Sequence, residues 1–200
     1  MEEKQLIISV GREYGSAGRF IAEKIAEHYG LPLYDRNILQ EIAEVKKLNI
    51  KNLEKYDEKP RMRLFSRRVK GYSNSPEENI AHLQFEYLRR KAADGESFVI
   101  VGRCGEEVLK EFDCLISIFI LGDMQTKIER IAKINDITLN EAEKMILKNN
   151  KNRKLYHNHH CKGYWGDSRN YDISINSSKL GYTDTVLILT KYIDERIKNR

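Results

Sequence analysis

Apolar residues recur along this chain at two periods. Leu6-Ile7-Ile8-Ser9-Val10, Phe98-Val99-Ile100-Val101 and the run from Leu115 to Leu121 are near-continuous β-rich stretches, the pattern of strands covered on both faces of a parallel sheet. Ile173-Ser174-Ile175 is a shorter candidate, and Leu31-Pro32-Leu33 marks an expected second strand. Between these runs the period lengthens to that of a helix. Ile21, Ile25 and Tyr29 share a face with Ala22 and Ala26 beside them, and Gly30 closes that helix with Pro32 beyond. Val186, Leu189, Ile193 and Ile197 line a second face. Ser75-Pro76-Glu77-Glu78 and Thr138-Leu139-Asn140-Glu141 carry helix-start signals, a cap followed by a returning glutamate. Strands alternating with helices predict an α/β fold, a doubly wound parallel sheet with right-handed crossovers. In such a sheet ligands gather at the carboxyl ends of the strands.

Composition narrows this picture to one main domain. The chain has 200 residues and 40% hydrophobic content, enough for one sizeable core with an appended subdomain. Met1-Glu2-Glu3-Lys4 lacks the basic start of a signal peptide, and no apolar stretch approaches the ~18 residues that span a bilayer, so a soluble, cytoplasmic protein with no membrane partner is expected. Cys104, Cys114 and Cys161 are odd in number and widely spaced, which reads as reduced thiols. The net charge of +5 is concentrated, because residues 46–74 hold ten Lys/Arg against three Asp/Glu. That segment suits a phosphorylated ligand, a nucleic acid or a solvated helical face, and Met62, Leu64, Phe65, Val69 and Tyr72 interleaved with the charges speak for partial packing.

Chemistry concentrates where strands end. Gly11-Arg12-Glu13-Tyr14-Gly15-Ser16-Ala17-Gly18-Arg19 leads from a buried strand through small residues into a helix, the arrangement that lets backbone N–H groups converge on a phosphate. Aligned on Gly18-Arg19, a P-loop pattern would have glycine at Glu13, lysine at Arg19 and a hydroxyl at Phe20. Arginine still bridges phosphate oxygens, and Ser16 is the nearest substitute for the lost hydroxyl. The same turn also reads as a tight β-to-α connection without a ligand. Gly102-Arg103-Cys104-Gly105 follows a second buried strand and points Arg103 into the crevice or into a carboxylate pair. Asp35, after Tyr34, faces a sugar or base, or else caps the helix starting near Asn37.

A third cluster runs from Lys148 to Arg169. A helix ending in Lys148, Lys151, Arg153 and Lys154, followed by a polar aromatic loop, suits a flap that closes cations over a polyphosphate, although cations also suit any helix C-terminus. His157-Asn158-His159-His160-Cys161 offers metal-ligand chemistry, but four candidates within five residues and no second cluster argue against a metal. Trp165 reads as an anchor packing the lid onto the core.

Together, Gly15-Ser16-Ala17-Gly18-Arg19, Tyr34-Asp35, Gly102-Arg103, Asn150-Lys151-Asn152-Arg153 and the run Trp165-Gly166-Asp167 through Ser178 resemble the cytidylate kinase-like family, over nearly the whole chain. The resemblance implies a P-loop kinase fold of about five parallel strands. Its core would span 4–35, 95–147 and 171–200, its helical monophosphate-binding insert 36–94 and its lid 148–170. It further implies transfer of the ATP γ-phosphoryl group to a nucleoside monophosphate such as CMP or dCMP, with Mg²⁺. On this sequence Gly15, Ser16, Ala17, Gly18 and Arg19 would hold ATP, Asp35 and Arg103 would face the acceptor, and Arg153 and Arg169 would join Arg19 at the transferring group. The family has lysine at Arg19, an aspartate at Cys104 and an acidic residue at Asn150, departures that keep a nucleotide-binding regulator in play. Nucleic-acid binding through the basic segment is the remaining alternative.

Overall fold

The computed structural model describes residues 4–35, 37–46, 68–69, 72–73 and 75–200. The expectations for the basic 46–74 segment therefore lie almost wholly outside the described residues.

Five parallel strands form the central sheet: β1 (Ile7–Arg12), β2 (Leu33–Tyr34), β5 (Phe98–Val101), β6 (Leu115–Leu121) and β7 (Ile173–Asn176), in the order β2-β5-β1-β6-β7. A two-residue antiparallel pair, β3 (Arg68–Val69) with β4 (Tyr72–Ser73), stands apart from it. β1 lies in the middle, with Ile8 opposite Val99 on one side and Ile116 on the other. The chain crosses from one half of the sheet to the other about β1, so its carboxyl end opens into a crevice between β5 and β6.

Both faces of the sheet are covered, and this is why its strands read as unbroken apolar runs. Ile8, Val10, Val99, Val101, Ile116, Ile118 and Ile120 pack against α1 (Gly18–Tyr29) and α7 (Ser177–Lys198). Ile7, Phe98 and Ile100 point the other way, toward α2 (Ile38–Lys46), α3 (Pro76–Ala93) and α4 (Gly105–Val108). A smaller cluster joins α5 (Met124–Asn135) to α6 (Leu139–His160) through Ile128, Ile131, Ala142 and Ile146, with Tyr14 against it.

The two expected helix starts behave differently. Thr138 forms the full capping box, accepting from the Glu141 amide while Glu141 accepts from the Thr138 amide. Ser75 makes no cap bond to the backbone. Its hydroxyl donates to the Glu77 carboxylate at 2.5 Å instead, and Pro76 at the first helical position removes one orphan donor by itself. Gly30 closes α1 in the left-handed region at φ 63°, as its position predicts.

One boundary needs correction. Where the sequence predicts a helix ending near Lys154 and a loop over His157–Cys161, α6 continues to His160 and is capped by the Cys161 N–H donating to the His157 carbonyl. Burial of Tyr156 and His157 holds the last turn helical, and histidines there suit the negative end of the helix. No helix among the described residues is long and apolar enough to cross a membrane.

Candidate functional site

The turn after β1 is built by its own polar residues. Ser16 is buried, and its hydroxyl lies within donating reach of the carbonyls of Glu13, 2.9 Å, and Ile120, 3.0 Å. Glu13 Oε2 accepts from Lys127 Nζ at 2.6 Å and from the Gly122 amide at 3.1 Å, so the turn is latched to the β6–α5 connection. Gly15 at φ 86° and Ala17 at φ 62° turn the chain into α1. Ile21 is the first residue whose N–H reaches a helical carbonyl, that of Ala17, and the amides of Ala17, Gly18, Arg19 and Phe20 find no acceptor among the described residues. Four orphan donors at the positive end of a 12-residue helix are the arrangement that can receive an anion. Gly18 is required by packing, because a Cβ there would lie 2.4 Å from Arg12 Cβ.

These amides open onto a cleft of about 370 Å³ lined by Arg12, Glu13, Tyr14, Gly15, Ala17, Gly18, Arg19, Asp35, Arg130 and Arg153, with α5 as the opposite wall. Arg19 is 66% exposed in its side chain and lies between two carboxylates, Glu23 Oε1 at 3.0 Å and Asp35 Oδ2 at 3.4 Å. Asp35 thus turns its carboxylate to Arg19, and the Asn37 side chain accepts from the Asp35 amide at 2.7 Å. Arg153 reaches back from α6, donating to the Arg12 carbonyl at 3.1 Å with its guanidinium 5.5 Å from the Tyr14 ring centre. One turn earlier, Asn150 accepts from the Tyr14 amide at 2.7 Å. The residues that stand one turn apart on α6 therefore grip the start of the turn after β1.

Arg103 lies elsewhere. It is 1% exposed and lines a neighbouring cavity of about 20 Å³ with Gly102, Cys104, Glu106, His157 and Trp165, and Arg12 and Arg153 form the wall the two cavities share. Arg103 and Cys104 both have positive φ, 56° and 54°, a strained pair of consecutive non-glycine residues that the surrounding packing must enforce. Trp165 packs edge-on against Phe119 with ring centres 5.4 Å apart, the anchoring role its sequence context predicts. Arg169 lines neither cavity. Its side chain is 85% exposed and held by Asp167 at 2.5 Å, within the short 3-10 turn Ser168–Asn170.

Of the expected site residues, Gly15, Ala17, Gly18, Arg19, Asp35 and Arg153 meet in one cleft, Arg103 adjoins it, Ser16 faces inward and Arg169 stands apart. The sequence reading passed over Arg12, Arg130 and Lys127. Arg12 had a usable signal, a charge at the last position of a buried strand next to the crevice. Lys127 had none, since only tertiary contact brings it to Glu13.

Across the second cavity, Glu106 and His157 form a buried pair with Oε1 to Nε2 of 2.6 Å. Burial works against charge on the imidazole, but hydrogen bonds to Cys161 and Glu106 outweigh it and raise the His157 pKa to about 10. The Cys161 thiol is shifted down by the hydrogen bonds it receives from Cys104 and His157.

Comparison with known proteins places these features in context. The model of the cytidylate kinase-like family matches residues 7–179. A cytidylate kinase from Pyrococcus horikoshii is 28% identical over 196 residues, 97% of this chain and 91% of that one. An uncharacterised protein from Eubacterium ventriosum, known from its crystal structure, is 39% identical with a TM-score of 0.76, covering 95% of this chain and 99% of that chain. Shikimate kinase from Bacteroides thetaiotaomicron, 12% identical with a TM-score of 0.56 over 94% of this chain and 98% of its own, shares the fold.

Proposed function

Since the chain belongs to the cytidylate kinase-like family, we propose that it transfers the γ-phosphoryl group of ATP to a nucleoside monophosphate, a pyrimidine nucleotide such as CMP or dCMP. The observation that carries this reading is one cleft in which the unsatisfied amides of Ala17–Phe20 face Arg12, Arg19, Arg130 and Arg153. The acceptor phosphate is already an anionic nucleophile, so alignment and charge neutralisation suffice without a general base.

In this assignment the turn from Gly15 to Arg19 holds the ATP phosphates through its main chain. Ser16 contributes its fold and not its hydroxyl, which is committed to two carbonyls. Arg19 leaves its two carboxylates to meet the polyphosphate, and Asp35, freed by the exchange, turns to the acceptor. Arg153 and Arg12 sit between the two cavities and would steady the group in transfer, while Arg103 fixes the acceptor side. Arg169 would join them only if the segment carrying it closed inward. The chain divides for this work into the core at 4–35, 95–147 and 171–200, the insert at 36–94 and the lid at 148–170.

The donor set fits Mg²⁺ as an ion carried on the phosphates. Hard cations of this size keep several waters and take one or two carboxylates, and Glu13 and Asp35 are the carboxylates lining the cleft. When bound, the ion would neutralise charge on the β- and γ-phosphoryl oxygens.

A panel of nucleoside monophosphates assayed for ADP formation, with and without Mg²⁺, tests the reading. Magnesium-dependent turnover with a pyrimidine monophosphate is expected. ATP binding without turnover for any acceptor would favour the regulator, a reading supported by the two carboxylates that occupy Arg19.

A further inference from the structure

The metal-ligand chemistry of His157–Cys161 is completed in three dimensions by a second segment. Seen in the sequence, that run lacked a second ligand pair. The strained turn after β5 supplies it, carrying Cys104 and Glu106 into the same cavity wall as His157. The ligating atoms of Glu106, His157 and Cys161 all lie within 4.8 Å of one another. Cys104 lines the cavity beside Glu106 and His157. His157 and Cys161 are one helical turn apart and Cys104 and Glu106 flank Gly105, so each segment offers a pair at close spacing.

We infer that Glu106, His157 and Cys161 form a three-ligand site for a borderline-soft divalent cation, Zn²⁺ in the first place, that joins the end of α6 to the turn after β5, with the Cys104 thiol of that turn as the candidate fourth ligand. One sulfur, one imidazole nitrogen and one carboxylate oxygen are donors that tetrahedral zinc takes, and the Cys104 sulfur as a fourth would leave no open position, the mark of a structural site. The ligand atoms of Glu106, His157 and Cys161, already within 4.8 Å of one another, need little movement to surround an ion with bonds of roughly 2.0–2.3 Å. Charge supports the choice. With Cys104 as the fourth ligand, two thiolates and a carboxylate exceed the charge of a divalent ion by one, and the enclosed guanidinium of Arg103 lines the same cavity. Binding displaces to solvent the protons that the thiols and imidazole hold.

The mechanical consequence concerns Arg153. It stands one turn before His157 on α6 and lines both cavities. A cation bridging His157 and Cys161 to Glu106 fixes that turn against Arg103. The site stands on this geometry whether or not the chain transfers phosphate.

The test is metal titration of the full chain, without a polyhistidine tag, reduced and stripped by a chelator. Equilibrium competition should find one Zn²⁺ per chain, and Co²⁺ in its place should show the visible absorption of a tetrahedral ion with thiolate-to-metal charge transfer. Cys161→Ser and Cys104→Ser should each weaken binding at least about tenfold, the least that even an outer-shell partner costs. Cys114→Ser should leave it unchanged, because that thiol donates to Gln5 Oε1 outside the cluster. Should a serine variant fold poorly, the cobalt spectrum of the unaltered chain and the Glu106→Gln titration still decide. Absence of stoichiometric Zn²⁺, an octahedral cobalt spectrum without sulfur charge transfer, or a Cys104–Cys161 disulfide that forms in air despite excess Zn²⁺ would overturn the site.

Discussion

Arg19 and Lys127 show how differently two cations can serve one turn. Arg19 is solvent-facing and pairs with Glu23 and Asp35 at distances an incoming polyphosphate would disrupt at little cost, since exposed pairs contribute little. Arg19→Ala should weaken ATP about 10-fold or more, the loss of one charge-assisted hydrogen bond of roughly 1.5–3 kcal/mol, read by calorimetry. Unchanged affinity would remove it from the donor site. Lys127 is 4% exposed and holds Glu13 in place. Lys127→Met leaves that carboxylate without its cation and should lower stability by about 1–3 kcal/mol in a urea titration, the cost of a partly buried charge left to water and the Gly122 amide. Arg103→Ala should raise the apparent dissociation constant of the acceptor more than that of ATP, because Arg103 lines the cavity beside the cleft and not the cleft itself. Superimposable acceptor titrations would end that assignment. The glycines and Arg19 were legible because the sharp turn from β1 into α1 needs small residues in a local order and a helix start beside the sheet leaves its cation at the surface. Lys127 and the Glu106–His157 pair were not, for no local spacing records a contact across more than fifty residues.

At the scale of elements, α6 carries most of what the sequence left unresolved. Its start was readable, since a capping box is a four-residue device. Thr138→Ala should cost about 1 kcal/mol, visible as a lowered denaturation midpoint with unchanged slope. Its end was not readable. A run of histidines and asparagine has no strong helical preference, and only burial of Tyr156 and His157 against the core keeps the last turn wound. The same helix brings Asn150 to the Tyr14 amide and Arg153 to the Arg12 carbonyl. A lid boundary drawn at 148 therefore falls inside a continuous helix, and any opening must move α6 with the turn it grips or break those two contacts.

For the whole molecule, ligand binding and stability are linked. ATP with Mg²⁺ at about 100 times its dissociation constant should stabilise the chain by about 2.7 kcal/mol, a rise in Tm of roughly 5–10 °C for a protein of this size. A Tm unmoved at that saturation would mean that the orphan amides of α1 do not hold the nucleotide. From its residues alone the chain gives away its α/β class, its parallel sheet, the small-residue turn that follows β1 and the closing glycine of α1. Each is written in residues a few positions apart, where burial on two faces, helical period and backbone freedom act locally. Only the packed fold settles which strands become neighbours of β1, that Ser16 turns inward, that Arg169 stands away from the cleft and that Glu106 meets His157 and Cys161. These outcomes depend on packing the helices against both faces of one sheet, a condition satisfied by the chain as a whole and recorded at no single stretch of it.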